Sequence, residues 1–188
     1  MDLQIRDVRM LDGSTGSIGI EGNRIAYVGA DPPVMAEGEP TRVIDGADLL
    51  AMPGLVNAHT HAAMTLFRGY GDDMPLMPWL EQRIWPAEAK LTDEDVYWGT
   101  RLACAEMIRT GTTLFNDMYW KVPHAVRAIA DSGLRATVSG GLISGGFLGD
   151  LKGEIAELIA MYETEGFPDR VRLAIAPHAV YTVTPEDL

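Results

Sequence analysis

His59 and His61 stand two residues apart at the end of an apolar run, Leu49-Leu50-Ala51-Met52-Pro53-Gly54-Leu55-Val56-Asn57-Ala58. Alternate residues of a β-strand share one face. Two histidines at the last positions of a buried strand therefore aim both imidazoles at one point. Neutral imidazole is the commonest side-chain ligand of a catalytic divalent ion, so the chemistry this pair offers is metal binding. The same spacing also suits two strand-end residues with ordinary hydrogen bonds, and the pair alone does not separate the two readings. His178 closes a later apolar run, Val171-Arg172-Leu173-Ala174-Ile175-Ala176-Pro177, and would reach the same mouth if both strands belong to one parallel barrel. Strand-end hydrogen bonding is its alternative. Glu88, after Trp85-Pro86-Ala87, reads on residue type alone as a solvated acid before a helix. Asp117 reads as a helix cap or backbone acceptor, His124 as a surface residue, and Cys104 as a small apolar filler inside a helix.

These residues need elements to position them. Before residue 50 the pattern is short strands: Leu3, Ile5 and Val8; Ile18 and Ile20; Ile25, Tyr27 and Val28; and 42–45. Gly22-Asn23 marks a hairpin turn between the second and third. Asp31-Pro32-Pro33 through Glu39-Pro40 is a loop. From residue 50 onward, strand and helix alternate. Strands are expected at 50–58, 112–115, 135–139 and 171–176. Thr92 with Asp95 caps a helix that Gly111 stops. Further helices are expected at 123–132 and 150–165. Thr184-Pro185-Glu186-Asp187 reads as a helix start, so the chain is expected to be cut there. Repeated strand-helix units imply a parallel sheet. No G-x-G-x-x-G follows the first of these strands, which leaves a dinucleotide site unsupported.

Composition narrows the function classes. The net charge is −12 and no basic patch interrupts it, which argues against nucleic acid as a partner. No run of about eighteen apolar residues occurs, so no membrane span is expected. One cysteine in the chain excludes an internal disulfide and suits a reducing, cytoplasmic location.

The strings Pro53-Gly54-Leu55-Val56-Asn57-Ala58-His59-Thr60-His61, Met64-Thr65-Leu66-Phe67-Arg68-Gly69, Trp79-Leu80, Trp85-Pro86-Ala87-Glu88 and Pro177-His178-Ala179-Val180-Tyr181 resemble the amidohydrolase superfamily. They are most similar to its 5-methylthioadenosine/S-adenosylhomocysteine and 5′-deoxyadenosine deaminases. The resemblance implies an α/β fold: the N-terminal half of a metal-dependent (β/α)8 TIM barrel with a small β-sandwich flank. Residues 1–49 would be part of a composite sandwich, and 50–188 the first four β/α units, with open edges on the strands at 50–58 and 171–176. It implies hydrolytic deamination of an adenosine-type nucleoside, with His59 and His61 on one divalent ion, zinc first and Fe2+ or Mn2+ as alternatives. It assigns Glu88 to the ribose hydroxyls and His178 to substrate. Trp79 and Trp85 would wall a purine pocket or simply pack. The third histidine, the proton-shuttling glutamate and the last aspartate of the site are expected beyond residue 188, so no catalytic residue is expected within the chain. The implied partners are a small nucleoside, a homo-oligomer and the remaining half of the same protein. Two readings stay open beside this one: an amidohydrolase acting on guanine, cytosine or a chlorinated triazine, and a non-catalytic fragment or binding module.

Overall fold

The computed structural model describes residues 2–31, 42–145, 151–164 and 166–188. Its contacts divide into two compact units, Met1–Pro53 and Gly54–Leu188. The loop expected between Pro32 and Pro40 lies outside the described residues.

The first unit is one four-stranded sheet built from β1 (Leu3–Arg9), β2 (Thr15–Glu21), β3 (Arg24–Gly29) and β4 (Arg42–Asp45), in the order β3-β2-β1-β4. β1, β2 and β3 pair antiparallel, and β4 lies parallel to β1. The expected hairpin is present. Glu21 pairs with Arg24 across Gly22-Asn23, and Gly22 adopts φ +57°, a left-handed conformation that glycine takes without steric penalty.

The second unit carries the alternation of strand and helix. Its main sheet, in order, is β5 (Leu55–Thr60), β6 (Thr112–Met118), β7 (Arg135–Ser139) and β9 (Val171–Leu173), all parallel. Two short strands, β8 (Gly141–Leu142) and β10 (Ala176–Pro177), pair parallel beyond β7 and β9. Short helices α1 (Leu76–Trp79) and α2 (Trp85–Glu88) flank a π-turn in the long connection after β5. Helices α3 (Asp93–Arg109), α4 (Val122–Ser132) and α5 (Leu151–Thr164) make the crossovers. The capping box is formed: Thr92 Oγ1 accepts from the Asp95 amide at 3.1 Å, and Asp95 Oδ2 accepts from the Thr92 amide at 2.8 Å. β5 and β9 are the outer strands of the sheet among the described residues, and Val56 and Ile175 are exposed beside those edges.

Three expected strands differ in extent, the second running on from residue 115 to Met118. The first begins at Leu55, not at residue 50, and runs through Thr60. Pro53 has no N–H to give a ladder, and Leu50 makes an isolated bridge to Arg9 inside the first unit. The fourth, expected as one run over 171–176, is broken into β9 and β10. Ala174 N–H still donates to Val138 O at 2.9 Å, and His178 N–H to Leu142 O at 3.0 Å, so the backbone path continues past the break. The helix start expected at Thr184 is a single 3-10 turn, Pro185–Asp187.

Parallel strands in such a fold bury one face against helices. Phe115, Ala136, Val138 and Val171 pack with Ala103, Cys104, Met107, Val126 and Ile129 of α3 and α4. Cys104 is fully buried in this cluster, as expected of a filler. α3 comes close to the chain just after β5 because it carries Gly99 there. A Cβ at Gly99 would lie 2.7 Å from Ala63 O, and Thr65 Oγ1 donates to Gly99 O at 2.7 Å. Gly99→Ala is expected to destabilise the protein by about 1–3 kcal/mol through this backbone clash, read as a lower urea midpoint at unchanged slope. An unaltered midpoint would show that the segment yields freely.

Candidate metal centre and adjoining cavity

The strand register sets where the histidines point. Thr60 pairs with Asp117, whose side chain goes to the helix-packed side of the sheet. His59 and His61 flank Thr60 and so project to the opposite face. Their ring centroids are 5.1 Å apart in an edge-on arrangement. His61 lies just past the strand, where the 3-10 turn Ala62–Phe67 begins. Two contacts from the end of β6 hold it. The Asp117 carboxylate accepts from the Ala62 amide at 2.7 Å, and His61 Nδ1 lies 2.7 Å from Met118 O. Asp117 is thus a backbone acceptor capping that turn, as its residue type suggested.

The second contact fixes a tautomer. A carbonyl oxygen only accepts, so His61 Nδ1 carries the proton and donates to Met118 O. In the neutral ring, Nε2 then holds the free lone pair. This is the arrangement in which a histidine ligates a metal through one nitrogen while the other is anchored. The pair fits a divalent ion on donor chemistry. Among the described residues, no group of three His, Cys, Asp or Glu side chains is placed to hold one.

His61 also lines a cavity with Met64, Trp79, Trp85, Glu88, Tyr119, Trp120 and His178, among others. Three of the four residues singled out from the sequence therefore meet at one place, from elements far apart in the chain. His59 does not line this cavity and is exposed beside it. Trp79 and Trp85 both contribute to the wall.

Glu88 is buried at the end of α2, which overturns its reading as a solvated acid. Burial pushes its carboxyl above the ordinary glutamate range. The donor groups of Tyr119 and Trp120 beside it, and then the charge of His61, pull it back in part. Tyr119 and Trp120 went unremarked in the sequence. The available signal was their place directly after the strand end Asn116-Asp117-Met118, on the same mouth as His61. Tyr119 is drawn in by its amide, which donates to Ser139 O at 3.0 Å.

His178 is half-buried. Its Nδ1 lies 2.9 Å from Thr182 Oγ1, and that hydroxyl donates to Ala179 O at 3.1 Å. The single hydroxyl proton is used there, so Thr182 Oγ1 accepts and His178 Nδ1 donates. Burial first, then the charge of His61, lowers the His178 pKa, which favours a neutral ring with an accepting Nε2. His124 is half-exposed and pairs with Asp93 at 3.1 Å, beside Lys121 Nζ at 2.6 Å on the same carboxylate. It belongs to a surface ion pair away from the cavity lining.

With this geometry in place, comparison with known proteins assigns the class. The chain belongs to the amidohydrolase family, whose model, described as "Amidohydrolase family", matches residues 50–188. The chain is 49% identical over 174 residues to a 5-methylthioadenosine/S-adenosylhomocysteine deaminase of Pelotomaculum thermopropionicum, covering 92% of this chain and 40% of that protein. It is 51% identical over 176 residues to a 5′-deoxyadenosine deaminase of Methanospirillum hungatei, covering 89% and 38%. A solved adenosine deaminase from Xanthomonas campestris with bound zinc superposes with a TM-score of 0.84 at 32% identity, over 99% of this chain and 45% of that one. The chain therefore spans about 40% of the length of the curated relatives it matches. The fold is the α/β amidohydrolase fold, a TIM-barrel class, represented here by its N-terminal part.

Asp117 gives a pH test of the tie between β6 and the histidine segment. Burial raises its pKa from 3.8 to about 7, opposed by the Ala62 hydrogen bond. A folded-state pKa above the unfolded one contributes stability that is full below about pH 4 and fades as pH rises through about 7. Asp117→Asn keeps an acceptor for Ala62 and removes the titration. The variant's stability relative to the parent should therefore rise from pH 4 to pH 7 in urea titrations. A constant difference across that range would show that Asp117 does not titrate there.

Proposed function

We propose that this chain is the part of a metal-dependent aminohydrolase that begins the metal site and supplies much of the sugar site. The full protein would convert an adenosine-type nucleoside to its inosine analogue and ammonia. The carrying observation is the convergence of His61, Glu88 and His178 on one cavity, with His59 5.1 Å from His61. The names of the relatives at about half identity support the same reading.

His59 and His61 would hold the ion, zinc by analogy with the solved relative, with Fe2+ or Mn2+ as alternatives. When bound, a divalent ion supplies Lewis-acid chemistry and activates water near neutral pH. The His61 Nδ1–H···O=C bond to Met118 keeps Nε2 turned outward for that role. Glu88 would accept hydrogen bonds from the vicinal ribose hydroxyls, since a carboxylate takes two O–H donors and gives none. His178, neutral with an accepting Nε2, would orient the substrate. Trp79 and Trp85 offer apolar surface for the base. Residues 140–150 contain no arginine, and Lys152 is the nearest cation along the chain, so small uncharged 5′ substituents are favoured over a tail bearing a carboxylate. The reading extends to a homo-oligomer working in the cytoplasm, where a chain with a single cysteine suits the reducing conditions. No helix among the described residues is long and apolar enough to cross a membrane.

Two measurements on the full-length protein test this. His61→Ala should lower bound metal, read by elemental analysis of purified protein, and abolish ammonia release from 5′-deoxyadenosine. Glu88→Ala should weaken use of ribosides by about 1.5–3 kcal/mol in kcat/KM, the worth of hydrogen bonds to a charged group, while free adenine is little affected. Equal losses on riboside and free base would remove Glu88 from the sugar site and favour an amidohydrolase of free bases.

A further inference from the structure

Tyr119 is 4% exposed, and its hydroxyl has no well-formed hydrogen bond. An orphaned buried hydroxyl is unusual, because the desolvation it suffers is ordinarily offset by a partner. This one lines the cavity shared by His61, Glu88 and His178, and lies beside the Glu88 carboxylate. Its ring packs at 6.4 Å from that of His61. Its other contacts hold it still. The amide is tied to Ser139, and the ring sits in a cluster with Ala63, Val96 and Ala125. A donor held by its own neighbours thus stands beside a buried acid without a well-formed bond to it.

We infer that the Tyr119 hydroxyl is a positioning group that fixes the Glu88 carboxylate for the ribose diol and completes its hydrogen bond when the sugar is bound. This rests on the reading of Glu88 given above. Tyrosine suits the task because its O–H donates, and burial next to Glu88 drives its own ionisation far above neutral pH. It therefore stays protonated wherever the enzyme works. With both hydroxyls of a diol donating to one carboxylate, a third donor from Tyr119 would take one of the remaining lone pairs and lock the carboxylate plane.

The inference separates from a merely structural role through two readouts on the full-length protein. Adenosine and 2′,3′-dideoxyadenosine differ only in the diol, so the ratio of their kcat/KM values reports what the diol contributes. Tyr119→Phe keeps the ring and its packing. It should reduce that ratio about tenfold, chiefly through KM for adenosine, and Glu88→Ala should remove the preference. The thermal midpoint of Tyr119→Phe without substrate should equal or exceed the parent's, because an unsatisfied hydroxyl is lost. A preference that survives Tyr119→Phe while Glu88→Ala removes it would overturn the inference and leave Glu88 in place. A midpoint several degrees lower would likewise overturn it, by making the hydroxyl structural. If the parent shows no preference for adenosine over the dideoxy compound, the sugar-site reading itself fails and the inference falls with it.

Discussion

The end of β6 grips the segment that follows β5, and the candidate site is organised around that grip. Two acceptors on consecutive residues do the holding. The Asp117 carboxylate takes the Ala62 amide, and the Met118 carbonyl takes His61 Nδ1. The first stops the chain from continuing as strand and turns it into the 3-10 turn. The second selects which imidazole nitrogen is free. Met118 serves through its backbone, so its side-chain identity matters little to the bond. Asp117 serves through its side chain and bears the desolvation that follows. Gly99 on α3 closes the grip from behind by letting helix and turn approach without a side chain between them.

Much of this scaffold was legible in the chain. The capping box at Thr92, the turn at Gly22-Asn23 and the helix between Pro123 and Gly133 are local signals set by neighbours in sequence, and they appear where local chemistry puts them. Two of the strand boundaries that shifted depend on distant partners. Leu50 has the apolar character of the following strand, yet its backbone bridges to Arg9. Ala174 and Ile175 read as uninterrupted strand, yet the ladder there is broken between β9 and β10. Residue type cannot report which backbone a strand will meet.

The site divides in the same way. The histidine pair carries its meaning in spacing, and His178 in its place at a strand end. Glu88 is different. Its residue type and its Pro-Ala lead-in suggest solvent, and only the turn of the chain through α1 and α2 buries it. Tyr119 and Trp120 carried no motif at all, because their role depends on Glu88 arriving from a segment thirty residues earlier. A chain with net charge −12 has abundant carboxylates. What distinguishes Glu88 among them is the removal of water around it and the donors placed there instead, which are properties of the assembled fold.

The all-parallel sheet also orders events in time. Neighbouring parallel strands are joined only through a crossover, so each pairing must close a loop before it gains anything. The bond between Ser139 and Asp117, joining β7 to β6, spans 22 residues. The bond between His61 and Met118, joining the histidine segment to β6, spans 57. Loop-closure entropy grows with that length, and pairings of low sequence separation form faster. The β6-α4-β7 unit should therefore nucleate first and receive β5 afterwards. During synthesis His59 and His61 leave the ribosome well before the strand that anchors them, and the imidazoles stay unoriented until residue 118 has followed. An oriented pair of imidazoles is thus a late product of folding, timed by the docking of one strand.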